Sequence, residues 1–359
     1  MNILEPLYYD CITRLEGIER KSPDTQKALD EIKSKYRSNI HYFIYKSIIL
    51  RNLYGVDIMA EATEIAKLRL FLKMVAVVDV QPLVDNLGLD PLPDIDFNIR
   101  CGNTLVGYVN AESIVKDHDG DMFAIHDFEE NVAAEMDKVA RIFKLFKHLQ
   151  LTQESEHHEE FIAAKHQLRD LLSSLNDTLN HHLHNATASG MPYEEWLNSH
   201  QPFNWVAEFY DIIHGNGGFD VIIGNPPYVE YSKIRKEYQV TGIKCIDSGN
   251  LYAYVIERTL SFSHKGTRNG MIIQMSAFCT PRMASFQKMY FENAKFSSIA
   301  FFDDRPGKLF ENLQHIRVVI PIIEVGMPTS LTATTGYAKF YSHCRNILFQ
   351  NISYYLSQS

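Results

Sequence analysis

Asparagine, two prolines and a tyrosine stand in a row at Asn225, Pro226, Pro227 and Tyr228, directly after the apolar run Val221–Gly224. Proline fixes φ and carries no N–H, so Pro226 and Pro227 stiffen the backbone and offer carbonyl oxygens without a competing donor. The Asn225 side chain adds an amide oxygen that accepts. Two acceptors on a rigid loop can grip both hydrogens of one amino group, and Tyr228 offers a flat face to a planar ring. That set suits methylation of an exocyclic amine such as the N6 of adenine, whose lone pair is delocalised into the ring. Acceptors that take both hydrogens push the nitrogen towards a tetrahedral shape and free the pair for in-line attack on a methyl sulfonium, without a strong general base. Stacking on an aromatic side chain is worth roughly 1–3 kcal/mol per base, and a base in a duplex has to be flipped out to reach such a pocket. A plain Pro-rich turn is the bland alternative. Strand, Asn, Pro, Pro and aromatic in succession is a much narrower pattern than two prolines alone.

The elements around the motif decide where it sits. Residues 1–50 read as helical, with Ile40, Phe43, Ile44 and Ile48 at helical spacing. "NLYGVDI", residues 52–58, reads as a short strand, and the amphipathic helix "EATEIAKLRLFLKMVAVV" follows with acids in its first turn. Phe97–Gly107 reads as a second strand ending in a Gly-containing turn. Residues 111–215 are rich in Glu, His, Lys and Leu and read as one helical insertion with a loop at its tip. Val221–Gly224 then reads as a short buried strand, and "NLYAYVIERTLSFSHKG" as a helix. "GMIIQMS", "SSIAFFDD" and "IRVVIPIIEVG" read as further strands. Strands alternating with helices predict an α/β fold with a largely parallel sheet. Ligands bind outside the carboxyl ends of such strands, where Asn225–Tyr228 fall. The stretch after Gly326 has no clear pattern.

Composition bounds the function classes. The chain has 359 residues, 45% hydrophobic and 22% charged, ordinary values for a globular protein. No apolar run is long enough to span a bilayer and the first residues lack a signal-peptide layout, so no membrane is involved and a cytoplasmic protein is expected. The five scattered cysteines form no CxxC pair, which gives neither a zinc site nor a disulfide framework. "ESEHHEE" and "NHHLHN" invite a metal, but no catalytic-metal motif frames His157, His158, His181 or His184; they read as a solvated helical face, and no metal site is expected. The net charge of -9 counts mildly against a large nucleic-acid footprint, although a basic face can sit on an acidic protein.

"NPPY" after an apolar strand resembles the signature of amino-group methyltransferases that use S-adenosylmethionine. The phrases "NLYGVDIMAEATEIAKLRLFLKMV", "DFNIRCGNTLVG" and "NLYAYVIERTLSF" are similar to the large adenine-specific (N6) DNA methyltransferases of restriction-modification and phage-exclusion systems, including the fused type IIG enzymes. The resemblance spans residues 2–326. It implies a Rossmann-like class I S-adenosylmethionine-dependent methyltransferase sheet and double-stranded DNA with a flipped adenine as the partner. Asp57, at the end of its strand, is then the candidate for the cofactor ribose, and a helix-start acid is the other reading of it. Ile58 would pack on the cofactor adenine. Asn103 falls where the family places a polar contact to that adenine, with a simple turn Asn as the alternative. Phe310 matches an aromatic that packs against the target base, and a core Phe is its alternative.

One departure stands out. The family's Gly-rich cofactor loop should precede "LYGVDI", and no such phrase occurs; "GNGG", Gly215–Gly218, lies elsewhere. In relatives a phrase like "NILEPLYYDCITRLEG" follows that loop directly. The expectation is therefore a fragment whose sheet lacks its first strand, with an upstream half and a specificity domain outside it. Four regions are expected: a partial cofactor-binding half at 1–110, the helical insertion at 111–215, a catalytic half at 216–326, and the start of a target-recognition region at 327–359. Weak or no cofactor binding by the chain alone follows. The competing functions are a non-catalytic remnant or subunit that needs a separate upstream half, and a protein-glutamine methyltransferase, which shares the motif. A nicotinamide dehydrogenase fails on the absent GxGxxG and on the unexplained NPPY.

Overall fold

A computed structural model describes residues 1–36, 39–79, 92–116, 122–152, 158–187, 190–310, 316–329 and 331–358. The chain divides into two units, one of Met1–Asn103 with Asp137–Ser173 and one of Thr104–Met136 with Ser174–Ser359.

In the first unit, α1 (Leu4–Gly17), α2 (Pro23–Tyr36) and α3 (Ile40–Asn52) precede β1 (Gly55–Asp57), α4 (Ala60–Val75) and β2 (Ile99–Cys101). α3 is apolar nearly all round and is the central helix, with Ile44, Ile48 and Ile49 wholly buried. Its last carbonyls have no partner within the helix. The buried Asn98 amide supplies one, donating to the Ile49, Leu50 and Leu53 oxygens at 3.2, 3.2 and 3.0 Å. β1 and β2 pair in parallel, with Asp57 opposite Cys101. α4 turns Leu70, Phe71 and Met74 into the α3 cluster, while a second stripe, Ile65, Leu68, Leu72 and Val75, is exposed. The next helices are α5 (Ala111–Lys116), α6 (Met122–Thr152), α7 (His158–Ala186), α8 (Tyr193–His200) and α9 (Trp205–Glu208).

The second unit is built on a mixed sheet of seven strands among the described residues. They are β3 (Phe219–Gly224), β4 (Ser263–Met271), β5 (Ile273–Gln274), β6 (Ala294–Phe302), β7 (Val318–Val325), β8 (Leu331–Ala338) and β9 (Tyr354–Gln358). The order is β3-β4-β7-β6-β8-β9, with β5 also beside β7. β3 and β4 are parallel, as are β6 and β8, but β7 runs antiparallel to β4, β5 and β6, and β9 antiparallel to β8. The expected α/β class holds, whereas the expected largely parallel sheet becomes a mixed one because β7 inserts between β4 and β6 in the opposite sense. The short helices α10 (Tyr231–Ile234) and α12 (Ser276–Cys279) lie in the loops, and α11 (Leu251–Leu260) and α13 (Ala284–Glu292) pack on the sheet. Leu251, Tyr252, Phe286 and Tyr290 of these two helices meet Ile273, Ile299, Val319 and Ile323 in one core cluster.

Three more expectations change. The run Val221–Gly224 is part of a strand, Phe219–Gly224, but not a buried one. Among the described residues β3 is outermost and pairs with β4 alone; Ile222 packs into the core while Val221 and Ile223, on the other face, are 63% and 81% exposed. The helix expected through Gly266 stops at Leu260, because Phe262 leaves it to stack on Trp205 at 4.1 Å and Ser263 opens β4. After Gly326 the chain forms β8, rich in threonine, and β9.

The solvated face expected of the α7 histidines holds for His158 and His181, which are exposed, but not for His184, which is half-buried, as is His182. His181 stacks on Tyr193 at 3.7 Å, His182 Nδ1 lies 2.6 Å from the Tyr108 hydroxyl, and His184 Nε2 lies 2.7 Å from the Met191 carbonyl oxygen. His158 is exposed, and His157 lies outside the described residues. His200 is buried and keeps its hydrogen bonds as a neutral ring: Nδ1 faces the Trp196 oxygen at 3.1 Å and Nε2 accepts from the Gln239 N–H at 3.2 Å. Among the described residues no helix is long and apolar enough to cross a membrane.

Two measurements check this packing. A Cβ at Gly218, whose φ is +133°, would overlap the Phe262 carbonyl. Gly218→Ala should therefore cost about 2 kcal/mol or more in urea unfolding, and Ile223→Thr on the exposed face less than about 0.5 kcal/mol. Burial depresses the His200 pKa and the nearby His184 charge adds to it, against the Trp196 hydrogen bond. The unfolded ring takes up a proton near pH 6.5, before the folded one does. This contribution is whole above about pH 6.5 and is lost as the pH falls through the lower folded value. The urea midpoint should drop from pH 7 to about 5.5, and drop less in His200→Asn; an equal drop in both would contradict the assignment.

Candidate functional site

β3 and β4 run side by side until Gly224 meets Met271, and the Ile272 N–H then donates to the Gly224 oxygen at 3.1 Å. Here the ladder ends, because Pro226 and Pro227 have no N–H to continue it. Asn225 and Pro227 are exposed and Pro226 is buried. The Tyr228 hydroxyl turns back to the ladder's end. It lies 3.0 Å from the Ile272 carbonyl oxygen and 3.2 Å from Asn225 Oδ1, so one O–H serves two acceptors. The Tyr228 ring is half-buried and meets the Tyr252 ring edge-on at 6.3 Å. Burial pushes its phenol up to about 12, so it stays protonated and donating. The sequence-predicted acceptor of Asn225 is thus already engaged by the neighbour that was expected only to stack.

The chain beyond the motif is pinned at both ends. The Leu251 N–H donates to the Val229 oxygen and the Tyr231 N–H to the Gly249 oxygen, both at 3.0 Å. Arg282 Nη1 lies 3.2 Å from Glu230 Oε1. Within the loop the buried Glu257 carboxylate takes the Lys244 and Cys245 N–H groups at 2.7 and 2.8 Å. The Tyr254 hydroxyl donates to the Ile246 oxygen at 2.6 Å. Ile272, Glu257 and Tyr254 were not foreseen. Only Glu257 left a signal, an acid inside an otherwise apolar helical run.

The other sequence-predicted residues fall in two places. Asp57, Ile58 and Asn103 gather in the first unit at the carboxyl ends of β1 and β2. The Gly102 N–H donates to the Asp57 oxygen at 2.9 Å, and Cys101 Sγ lies 3.5 Å from the Ile58 oxygen. Asp57 is exposed, Ile58 is 43% exposed and Asn103 is buried. Asp57 Oδ1 takes the Met59 N–H at 2.8 Å, at the start of α4, so it does serve the helix start. A ribose would meet the exposed carboxylate and an adenine ring the exposed Ile58, so the donor set and the apolar surface fit an adenosine. Phe310, in the second unit with Asn225–Tyr228, is 41% exposed. Its neighbour Leu309 is buried in the cluster of Phe302, Val318 and Phe340 against which Tyr228 also packs.

A family profile described as Eco57I restriction-modification methylase matches residues 51–310, a span that takes in every candidate site residue. A protein of Methanocaldococcus jannaschii, "Putative type II restriction enzyme and methyltransferase RM.MjaORFECS2P", is 32% identical over 225 residues, 52% of this chain and 19% of that protein. Among solved structures, a DrdV–DNA complex is matched at 14% identity and a TM-score of 0.32, over 40% of this chain and 18% of that one. A nuclease-deletion mutant of the type ISP restriction-modification enzyme LlaGI, in complex with a DNA substrate mimic, is matched at 13% identity and a TM-score of 0.34. That match covers 98% of this chain and 33% of that one. The chain thus spans about a fifth of the length of the curated relative.

Tyr228→Phe keeps the ring and removes the hydroxyl that spans Ile272 and Asn225. It should cost about 1 kcal/mol of stability in urea unfolding; an unchanged midpoint would mean the hydroxyl contributes nothing to holding the motif.

Proposed function

The chain belongs to the Eco57I restriction-modification methylase family, and on that premise we propose that it serves methyl transfer from S-adenosylmethionine to the exocyclic N6 amine of adenine in DNA. The observation that carries the reading is the ladder end itself. It leaves Asn225 exposed on a backbone stiffened by two prolines, with Tyr228 tied to the same point. The Asn225 amide oxygen and a proline carbonyl are the acceptors for the two amine hydrogens, and the Tyr228 ring is the surface for a flipped base. Asn225 then has to exchange the Tyr228 hydroxyl for the amine, or share its second lone pair with it. Phe310, exposed in the same unit, is the second aromatic proposed for the base.

When bound, S-adenosylmethionine supplies a methyl group on a positively charged sulfur. Asp57 would hold its ribose hydroxyls, with Ile58 against the adenine and Asn103 at its edge. In this reading the fold is of the Rossmann-like class I methyltransferase type. Support comes from the strand ends: β1 ends in Asp57, β3 ends in the residue before Asn225, and β2 ends two residues before Asn103.

A second reading, a subunit that needs another polypeptide, is favoured by one observation. β3 is an outer strand with Val221 and Ile223 in solvent, an arrangement that soluble proteins tend to cover.

Methyl transfer from tritium-labelled S-adenosylmethionine separates the readings. Label should enter adenine-containing duplex and be recovered as N6-methyladenine, and Asn225→Ala should lower the rate about 100-fold or more. Asp57→Ala should raise the KM for the methyl donor and leave that for DNA unchanged. Label on cytosine or on protein, or an undiminished Asn225→Ala rate, would sink the first reading. A folded chain that labels nothing would favour the second.

A further inference from the structure

Three neighbouring strand ends set a row of charges on the edge of the sheet that carries Asn225. β3, β4, β6 and β8 run in one direction and β7 in the other, so the ends of β3, β6 and β8 and the start of β7 share that edge. In register, Phe302 of β6 lies between Val318 of β7 and Ala338 of β8. The next residue outward on each is Arg317, Asp303 and Lys339. The row therefore reads cation, carboxylate, cation, and Arg317 and Lys339 stand two strand spacings apart, roughly 10 Å at the backbone.

The carboxylates are buried and the cations are not. Asp303 and Asp304 have side chains 7% and 9% exposed, against 60% for Arg317, 67% for Lys339 and 76% for Arg305. Arg317 Nε lies 3.5 Å from both Asp303 Oδ1 and Asp304 Oδ1. Lys339 Nζ lies 3.8 Å from Asp303 Oδ2 and Arg305 Nε 3.9 Å from Asp304 Oδ2. Asp303 is itself fixed, its N–H donating to the Ala338 oxygen and its Oδ1 accepting from the Asp304 N–H at 2.8 Å. Burial alone would raise the Asp303 pKa. Hydrogen bonds from Tyr337 and Asp304 and the Arg317 charge outweigh it and bring it down to about 2, so the anchor is ionised at any working pH. Solvent meets three long cations held by two hidden acids, beside the Phe302–Val318–Phe340 cluster that Tyr228 touches.

We propose that Arg317 and Lys339, anchored by Asp303 and Asp304, form a clamp for backbone phosphates of the DNA next to the target base. The clamp rests on the reading of DNA as the substrate. It deepens that reading by giving an acidic chain a preorganised place to hold a polyanion. Arg317 offers its planar fork to a phosphate and Lys339 a point charge. The anchoring carboxylates have already restricted both side chains, which lowers the entropy lost on binding.

The test uses fluorescence anisotropy with two duplexes, one of mixed sequence and one of G·C pairs only, which offers no adenine to methylate. The whole chain should bind both. Arg317→Gln with Lys339→Gln should weaken both about 10-fold or more and lower the slope of log K against log salt by about two, between about 50 and 200 mM. Asp303→Asn decides between an organised clamp and a diffuse charge. It adds net positive charge, so a diffuse surface would bind DNA more tightly, whereas an unanchored clamp binds it less tightly. Should Asp303→Asn fail to fold, Arg317→Lys keeps the charge and loses the fork, and it should also bind more weakly. Wild-type affinity in the double variant or in Arg317→Lys, tighter binding by Asp303→Asn, or no binding of either duplex by the chain would overturn the clamp. Clamp-dependent binding of the G·C duplex with no methylation of the mixed duplex would leave the clamp standing and remove the methyltransferase reading instead.

Discussion

The last rung of the β3–β4 ladder is the contact on which the site depends. Ile272 bonds to the motif from both sides, its N–H to the Gly224 oxygen and its carbonyl to the Tyr228 hydroxyl. The prolines make that rung the last one, because neither can donate to a further rung. A rigid tetrapeptide needs a rigid base, and the base is a register: Gly224 against Met271 in a parallel pair. The pair is in turn backed by α11 and α13, whose aromatic side chains fill one face of the sheet. A slip of one residue would present Ile272 to the wrong side of the motif and expose the residues that now pack.

How much of this was legible in the sequence depended on what each pattern encodes. The position of Asn225–Tyr228 at a strand end could be read from an apolar run stopped by two prolines, since both signals are local. The same run was misread as buried, because β-propensity says that Val221–Ile223 form a strand and not that a neighbour covers both faces. α4 carries the same ambiguity. It has two apolar stripes, one packed through Leu70 and Met74 and one exposed through Leu68 and Leu72, and periodicity cannot say which is which. Strand sense is a property of the connections, so the reversal at β7 left no mark in the run "IRVVIPIIEVG". β8 went unseen because threonine alternating with small residues is weakly apolar, yet β6 gives it a partner.

The parts of the site that escaped notice share one physical feature: they act through the backbone. The Ile272 carbonyl, the N–H groups of Lys244 and Cys245 and the Ile246 carbonyl hold the motif and its loop, and any residue type supplies such groups. Glu257 and Tyr254 are the exceptions that act through side chains, and of the two only Glu257 left a signature in the sequence. A carboxylate inside an apolar helix has to find donors or cost several kcal/mol, and it finds two at the loop it closes. Asn225, a candidate through its side chain, was nameable from type and place, whereas Asp57 became a candidate through the resemblance. Asn103 and Phe310 needed a resemblance to single them out, since a turn Asn and an isolated Phe have no local pattern.

Formal charge proved the least informative quantity of all. A sum of -9 weighs every ionised group alike, whereas a polyanion meets only the groups that face it, within a screening length of about 8–10 Å. Folding sorts those groups by sign. At the ends of β6, β7 and β8 it hides two carboxylates and leaves the cations that neutralise them in solvent. The hidden acids do not cancel the surface they support. They keep Arg317 and Lys339 from ranging freely, at the same time as the low dielectric around Asp303 strengthens their hold. The register across three strands makes the row, and registers are set by pairing partners far apart in the chain, here residues 303, 317 and 339. Local sign at a sheet edge is therefore a tertiary property. A net charge read from composition constrains solubility and long-range steering far more than it constrains what a given edge of the sheet can bind.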